Sequence, residues 1–209
     1  MMKKVVGILL AGGKSSRMGG GDKCLKKLGN KTILEHVIAR SFPQVEKLIL
    51  NVNGQYSEYA RYKLPIVSDV VAGHCGPLAG ILTGVSWVKK NLPSCKWLVS
   101  LPTDAPFFPN NLVEKLFSAL EENKARISYA CSHGRNHPVF GLWPVDLEED
   151  LRRSIVEDKV RKIEFWTNKF TTSRAEFVSR SFDPFFNINN REQLEKAKGM
   201  IRELLLDNC

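Results

Sequence analysis

Leu10-Ala11-Gly12-Gly13-Lys14-Ser15-Ser16-Arg17-Met18-Gly19-Gly20-Gly21-Asp22-Lys23 decides how the rest of this 209-residue chain is read. It follows an apolar run, residues 5–10, broken only by Gly7. Such a run reads as a strand buried on both faces, as in a parallel sheet. The chain then turns through glycines toward a helix. Glycine admits positive φ and lets a ligand approach the backbone, and successive backbone N–H groups in such a turn form an anion cradle. Arg17 and Lys23 add fixed cations. Strand, glycine loop and two cations together suit a triphosphate.

Two familiar phosphate motifs do not fit. Gly13-Lys14-Ser15 resembles the end of a P-loop, but the first glycine of that motif would fall at position 8, which is Ile8. The dinucleotide pattern G-x-G-x-x-G fails because Gly12 and Gly13 are adjacent, and no acidic residue stands at 31–33.

Read onward, strands and helices alternate. A helix is predicted over 32–42, a strand over 47–52, a short helix over 57–62 and a short strand over 64–67. A helix entered through Pro77 follows, with Leu78, Ile81, Leu82, Val85 and Val88 on one face. The spacing then predicts a strand over 96–101 and a helix over 111–120, with Asn111 as N-cap and Glu114 three residues on. Strands are expected over 126–131, 137–143 and 175–179, a polar loop over 132–136, and helices over 146–153, 159–166 and 191–206. This alternation argues for a single α/β domain over 1–209, with a mostly parallel central sheet and helices on both faces. Ligands of such sheets sit beyond the carboxyl ends of the strands. Asn51, Asp69 and Asp104 all fall at predicted strand ends, which points to one site.

Composition narrows the function. Hydrophobic residues are 43% and charged residues 25% of the chain, as in ordinary globular proteins. No apolar run approaches the ~18 residues of a membrane span. The few residues between Lys4 and Gly12 are too short for a signal-peptide core, so a cytoplasmic protein without membrane association is expected. The five cysteines are odd in number and none has Cys-x-x-Cys spacing, which speaks against a zinc site or a disulfide framework. The net charge of +9 is spread along the chain without a dense basic tract, and fits phosphorylated ligands better than nucleic acid.

Asp104 follows a buried strand between two prolines. One such carboxylate together with a triphosphate can hold Mg²⁺, which takes carboxylate oxygens and keeps several waters; a turn aspartate bonding its own backbone is the plainer reading. Asp69 can accept from a base or sugar, touch the metal, or cap the next segment. Asn187 and Asn189 flank Ile188 and point the same way on an extended segment. His133 and His137 are four apart, but Gly134 and Pro138 exclude a helical metal pair there. His137 alone reads equally as a ligand contact or an ordinary loop histidine. These groups suit attack by an ionised acceptor phosphate on the α-phosphorus of a nucleotide. Positioning and charge neutralisation by Mg²⁺, Lys23 and Arg17 would drive it without a general base.

Taken together, the opening signature, Asn51, the 69–80 stretch ending in Gly76-Pro77-Leu78-Ala79-Gly80, the 101–106 stretch, and His137-Pro138 with 183–189 resemble the molybdenum cofactor guanylyltransferases. The resemblance implies a Rossmann-like nucleotidyltransferase fold and transfer of GMP from GTP to the molybdenum–molybdopterin cofactor, releasing pyrophosphate. It implies that Leu10, Ala11, Gly12 and Gly13 contact the guanine nucleotide, with Lys23 on its phosphates and Gly80 in the same site. Asn51 and Asp69 would hold the base and ribose side, Asp104 would bind Mg²⁺, and His137, Asn187 and Asn189 would face the acceptor. Other proteins of molybdenum cofactor synthesis and recipient apoenzymes are implied partners. A cytidylyl- or sugar-nucleotidyltransferase, a non-catalytic GTP or molybdopterin carrier, and a nucleic-acid-binding protein are the competing readings.

Overall fold

The computed structural model describes residues 4–11, 22–54, 56–73, 75–178 and 182–206. The strand β1 (Val5–Leu10) is buried up to Leu9 and half-buried at Leu10. Its alternate side chains divide between two cores: Val5 and Leu9 enter one, Val6 and Ile8 the other. This double burial is why the run is apolar at consecutive positions. A small hairpin follows, β2 (Lys27–Leu28) and β3 (Lys31–Thr32), which the sequence pattern does not show.

The helix α1 (Ile33–Ser41) starts on a capping box. Thr32 Oγ1 accepts from the Glu35 N–H at 3.1 Å, and Glu35 Oε2 accepts from the Thr32 N–H at 2.5 Å. The strand β4 (Lys47–Asn51), a 3-10 turn (Ser57–Tyr62) and β5 (Ile66–Val67) come next. The helix α2 (Pro77–Asn91) opens with proline in its first turn, as expected. After β6 (Trp97–Pro102) comes α3 (Leu112–Glu122). Asn111 is its N-cap residue, but its side chain makes no capping bond. Gln44 does that work from a distant segment: its Oε1 accepts from the Val113 N–H at 3.0 Å.

The strands β7 (Ile127–Ser132) and β8 (Arg135–Pro144) form a hairpin. The polar loop expected over 132–136 shrinks to the two residues His133 and Gly134, both with positive φ (49° and 74°), the geometry that suits a tight hairpin turn. The helices α4 (Glu148–Val156) and α5 (Ile163–Thr167), the strand β9 (Thr172–Glu176) and the helix α6 (Arg191–Leu206) complete the chain.

The seven-stranded sheet has the order β5-β4-β1-β6-β8-β7-β9. Every neighbouring pair is parallel except those of β8, which runs antiparallel between β6 and β7. This matches the expected mostly parallel sheet. One face packs on α1 and α3 through Leu34, Val37, Leu112 and Leu116. The other packs on α2, α4 and α5 through Leu78, Leu82, Val85, Leu151 and Trp166. A third cluster, with Leu28, Ile33, Ile188 and Ala197, seats α6 against the β2–β3 hairpin. The carboxyl ends of β1, β4, β5, β6 and β7 therefore share one edge of the sheet, where the amino end of β8 joins them.

Candidate active site

The chain leaves β1 and β6 side by side. Leu10 pairs with Asn51 on one flank and Pro102 on the other. Beyond those ends lies a cleft of about 450 Å³, lined by Leu10, Ala11, Lys23, Asn51, Asp69 and Asp104 among others. The backbone closes its floor. Ala11 N–H donates to the Asn51 carbonyl at 3.0 Å, and Thr103 Oγ1 donates to the Leu10 carbonyl at 3.1 Å.

Lys23 reaches into this cleft from a 3-10 turn, Lys23–Leu25. The residue before it is anchored, because buried Tyr59 donates its hydroxyl to Asp22 Oδ2 at 2.5 Å. Burial holds the Tyr59 hydroxyl far above its usual pKa and pushes the neighbouring Cys24 thiol up, so both are neutral packing groups. The Lys23 ammonium donates to Asp104 Oδ2 and to Asn189 Oδ1, each at 2.8 Å. Asp104 is fixed in turn, since its carbonyl accepts from the Ile188 N–H at 2.8 Å. Three segments far apart in sequence thus meet on one ammonium.

At the other end of the cleft, Asn51 Nδ2 donates to Asp69 Oδ1 at 2.9 Å and Asn53 Nδ2 to Asp69 Oδ2 at 2.7 Å. The Asp69 N–H returns a bond to Asn53 Oδ1 at 2.9 Å. Both carboxylate oxygens of Asp69 are therefore held by amides. Gly80 admits this arrangement: a Cβ there would lie 2.7 Å from Asn51 Oδ1 and 2.5 Å from Leu10 Cδ2.

Of the residues singled out from sequence, Leu10, Ala11, Lys23, Asn51, Asp69, Gly80 and Asp104 line this one cleft. Gly12, Gly13 and Arg17 lie outside the described residues. Asn189 joins through Lys23. Ile188 is buried and both Asn187 and Asn189 are exposed, so the alternation predicted for that segment holds, although Asn187 does not line the cleft. His137 does not line it either. Its Nε2 lies 2.8 Å from Ser132 Oγ, and its ring packs on Phe185 at 4.7 Å between centroids. Arg161 is spent on the end of α4, donating to the carbonyls of Ile155 and Val160, both at 2.9 Å. Sequence reading assigned no role to Asn53, Tyr59 or Thr103. The Asn-x-Asn spacing of 51 and 53 is the signal that could have found the first. The other two act through contacts that no local pattern shows.

No three acidic, cysteine or histidine side chains cluster to hold a metal among the described residues. The carboxylate chemistry nonetheless fits one kind of ion. Asp104 offers a hard oxygen donor in a cleft, and the described residues hydrogen-bond only its Oδ2. Mg²⁺ is commonly held by one or two carboxylates, with substrate phosphates and water supplying the rest. Asp69, with both oxygens engaged by amides, fits that role less well.

Residues 7–169 match the family model of the MobA-like NTP transferase domain. The chain belongs to the MobA-like NTP transferase family. It is 44% identical over 193 residues to a molybdenum cofactor guanylyltransferase of Rhodopseudomonas palustris, covering 92% of this chain and 90% of that one. A protein of the same name from Mesorhizobium japonicum is 40% identical over 207 residues, covering 98% and 99%. Among solved structures, molybdopterin-guanine dinucleotide biosynthesis protein A of Archaeoglobus fulgidus superposes with a TM-score of 0.72 at 22% identity, covering 95% of this chain and 99% of that one. A CMP:2-keto-3-deoxy-manno-octonic acid synthetase complexed with CTP gives 0.69 at 13% identity, covering 96% and 99%. Those two likenesses speak to the fold alone: the chain shares its α/β architecture with both. No helix among the described residues is long and apolar enough to cross a membrane.

Proposed function

We propose that this MobA-like transferase moves GMP from GTP to the phosphate of the molybdenum–molybdopterin cofactor. An acceptor phosphate oxygen forms a bond to the α-phosphorus, the bond from that phosphorus to the bridging oxygen breaks, and pyrophosphate leaves with the electron pair. The carrying observation is the bridge from Lys23 to Asp104 and Asn189, in a chain that shares 44% identity over 92% of its length with a molybdenum cofactor guanylyltransferase.

An ammonium has three N–H donors. Two are used at Asp104 and Asn189, and no other described residue takes the third, which the first two aim for a phosphate oxygen. Holding that charge in place before substrate arrives removes reorganisation from the reaction. Asn51, Asn53 and Asp69 form a polar wall at the far end of the cleft, suited to the base and ribose. Asp104 would hold Mg²⁺, which would supply further neutralisation of phosphate charge when bound. Asn189, touching Lys23, would face the acceptor, and the exposed Asn187 would extend that side. The cytoplasm is the compartment this reading implies.

The test supplies the protein with molybdopterin cofactor, Mg²⁺ and each of GTP, CTP, ATP and UTP, and follows pyrophosphate. Release with GTP alone is expected. Release with CTP instead would reassign the base, and binding of GTP without release from any nucleotide would make the protein a carrier.

A further inference from the structure

Lys23 is approached from behind by a residue outside the cleft. Tyr59 is fully buried, sits on the 3-10 turn Ser57–Tyr62 and does not line the cleft. Its hydroxyl nonetheless meets the side chains on both sides of Lys23. It donates to Asp22 Oδ2 at 2.5 Å, and Cys24 Sγ lies 3.6 Å from the same phenolic oxygen. A phenol has one hydrogen, and an ionised carboxylate only accepts. That hydrogen goes to Asp22, so the Cys24 S–H is the donor in the second contact. Burial raises the pKa of both the phenol and the thiol, which keeps these protons in place.

This clasp sets the direction of Lys23. Asp22 has extended backbone, with φ −78° and ψ 127°, and neighbouring side chains on extended backbone leave on opposite sides. With Asp22 drawn toward the core, Lys23 leaves toward Asp104 and Asn189, which its ammonium meets at 2.8 Å each. The main chain is held at the same place. The Leu25 N–H donates to the Asp22 carbonyl at 3.1 Å and the Lys26 N–H to the Lys23 carbonyl at 3.0 Å. The Asp22 side chain does not cap the turn it precedes; it is turned to Tyr59 instead.

The turn that carries Tyr59 is itself braced. The Tyr59 N–H donates to the Tyr56 carbonyl at 3.0 Å, and the Tyr62 hydroxyl lies 3.1 Å from Thr32 Oγ1, the cap of α1. A lysine side chain gives up much rotamer freedom when it is fixed. Two bonds at its tip and a clasped root meet that cost before a phosphate arrives.

We propose that Tyr59 is a positioning residue for phosphate binding: by clasping Asp22 and Cys24 it fixes the root of Lys23 and aims the ammonium at the phosphates of the nucleotide. The inference rests on Lys23 taking a phosphate oxygen, as proposed above. It gives Asp22 a part opposite to the one its charge suggests. Asp22 lines the cleft, where a carboxylate repels phosphate; clasped by Tyr59, it serves the phosphate end through its neighbour.

The test is calorimetric titration of the full-length protein with inorganic triphosphate. Tyr59→Phe keeps the buried ring and removes the hydroxyl, and should weaken triphosphate binding about tenfold, the loss of one hydrogen bond to a charged group. Asp22→Ala breaks the same bond at a half-exposed position. By charge alone it would tighten triphosphate binding; with Lys23 released, it should instead weaken binding about as much as Tyr59→Phe. Tyr62→Phe removes a hydroxyl from the same turn and should leave the affinity unchanged, which separates the aiming of Lys23 from a general loosening of the turn. Circular dichroism reports whether each variant is folded, and should Tyr59→Phe fail to fold, Asp22→Ala decides. Unchanged affinity in folded Tyr59→Phe, unchanged or tighter binding in Asp22→Ala, an equal loss in Tyr62→Phe, or a natural chain that binds no triphosphate would overturn the proposal. If the variants behave as stated while GTP and acceptor give no pyrophosphate, the guanylyl-transfer reading falls and this one stands.

Discussion

Lys23 is held by a carboxylate and an amide from two different segments, and this makes its replacement informative. Removing its ammonium takes away a preorganised phosphate donor and leaves Asp104 without its partner. Lys23→Ala is expected to lower kcat/KM about 10²–10³-fold, with weakened nucleotide binding in an equilibrium titration. Asp104→Ala should abolish pyrophosphate release while measurable nucleotide binding remains; turnover surviving that change would remove Asp104 from the mechanism. Gly80→Ala tests the opposite end of the cleft. The new methyl would crowd the Asn51 amide at 2.7 Å and turn it away from Asp69. Alanine is the better helix former by about 1 kcal/mol, so α2 should persist in circular dichroism. The KM for nucleotide should rise while the KM for acceptor stays.

Among the elements, α1 and α4 make the sharpest predictions. Thr32→Ala removes half of the capping box of α1 and should cost about 1 kcal/mol in urea unfolding. The helix α4 is tied to α2 by Glu148, which receives Ser86 Oγ at 2.6 Å, Lys89 Nζ at 2.8 Å and Arg152 Nη2 at 3.3 Å. Burial alone would raise the Glu148 pKa, but the three donors outweigh it and hold the carboxyl below its usual range. A carboxylate with a lowered folded-state pKa adds stability above its unfolded value, about 4.3, and that stability disappears as pH falls through the folded value. Glu148→Gln should therefore cost about 1–3 kcal/mol at pH 7. Its urea midpoint should converge with that of the natural chain below about pH 4. Local signals of this kind were legible. Pro77 marks the start of α2, and Asn51, Asp69 and Asp104 do stand at strand ends. Asn111 misled because the N–H it should cap is taken by Gln44, brought from far upstream by packing alone. The Lys23 bridge was half visible: each residue was a candidate, but its partners stand 81 and 166 residues away, and no periodicity encodes such a meeting. Tyr59 and Thr103 were unreadable for the same reason.

At the scale of the whole molecule, thiol chemistry reports the core. Cys24, Cys95 and Cys131 are buried, and desolvation raises the pKa of each thiol, that of Cys131 to about 11. Thiolate is the reactive form, so these three should resist alkylation in the native protein and react after unfolding, as counted by peptide mass spectrometry. The sheet has a second global property. Its interior strand β8 is made after both of the strands it joins. Residues 135–144 must therefore enter between two strands that precede them in the chain, and β6 and β7 cannot be joined in the sheet before that segment has been made. A chain cut short before residue 135 would lack the strand that joins the two halves of its sheet.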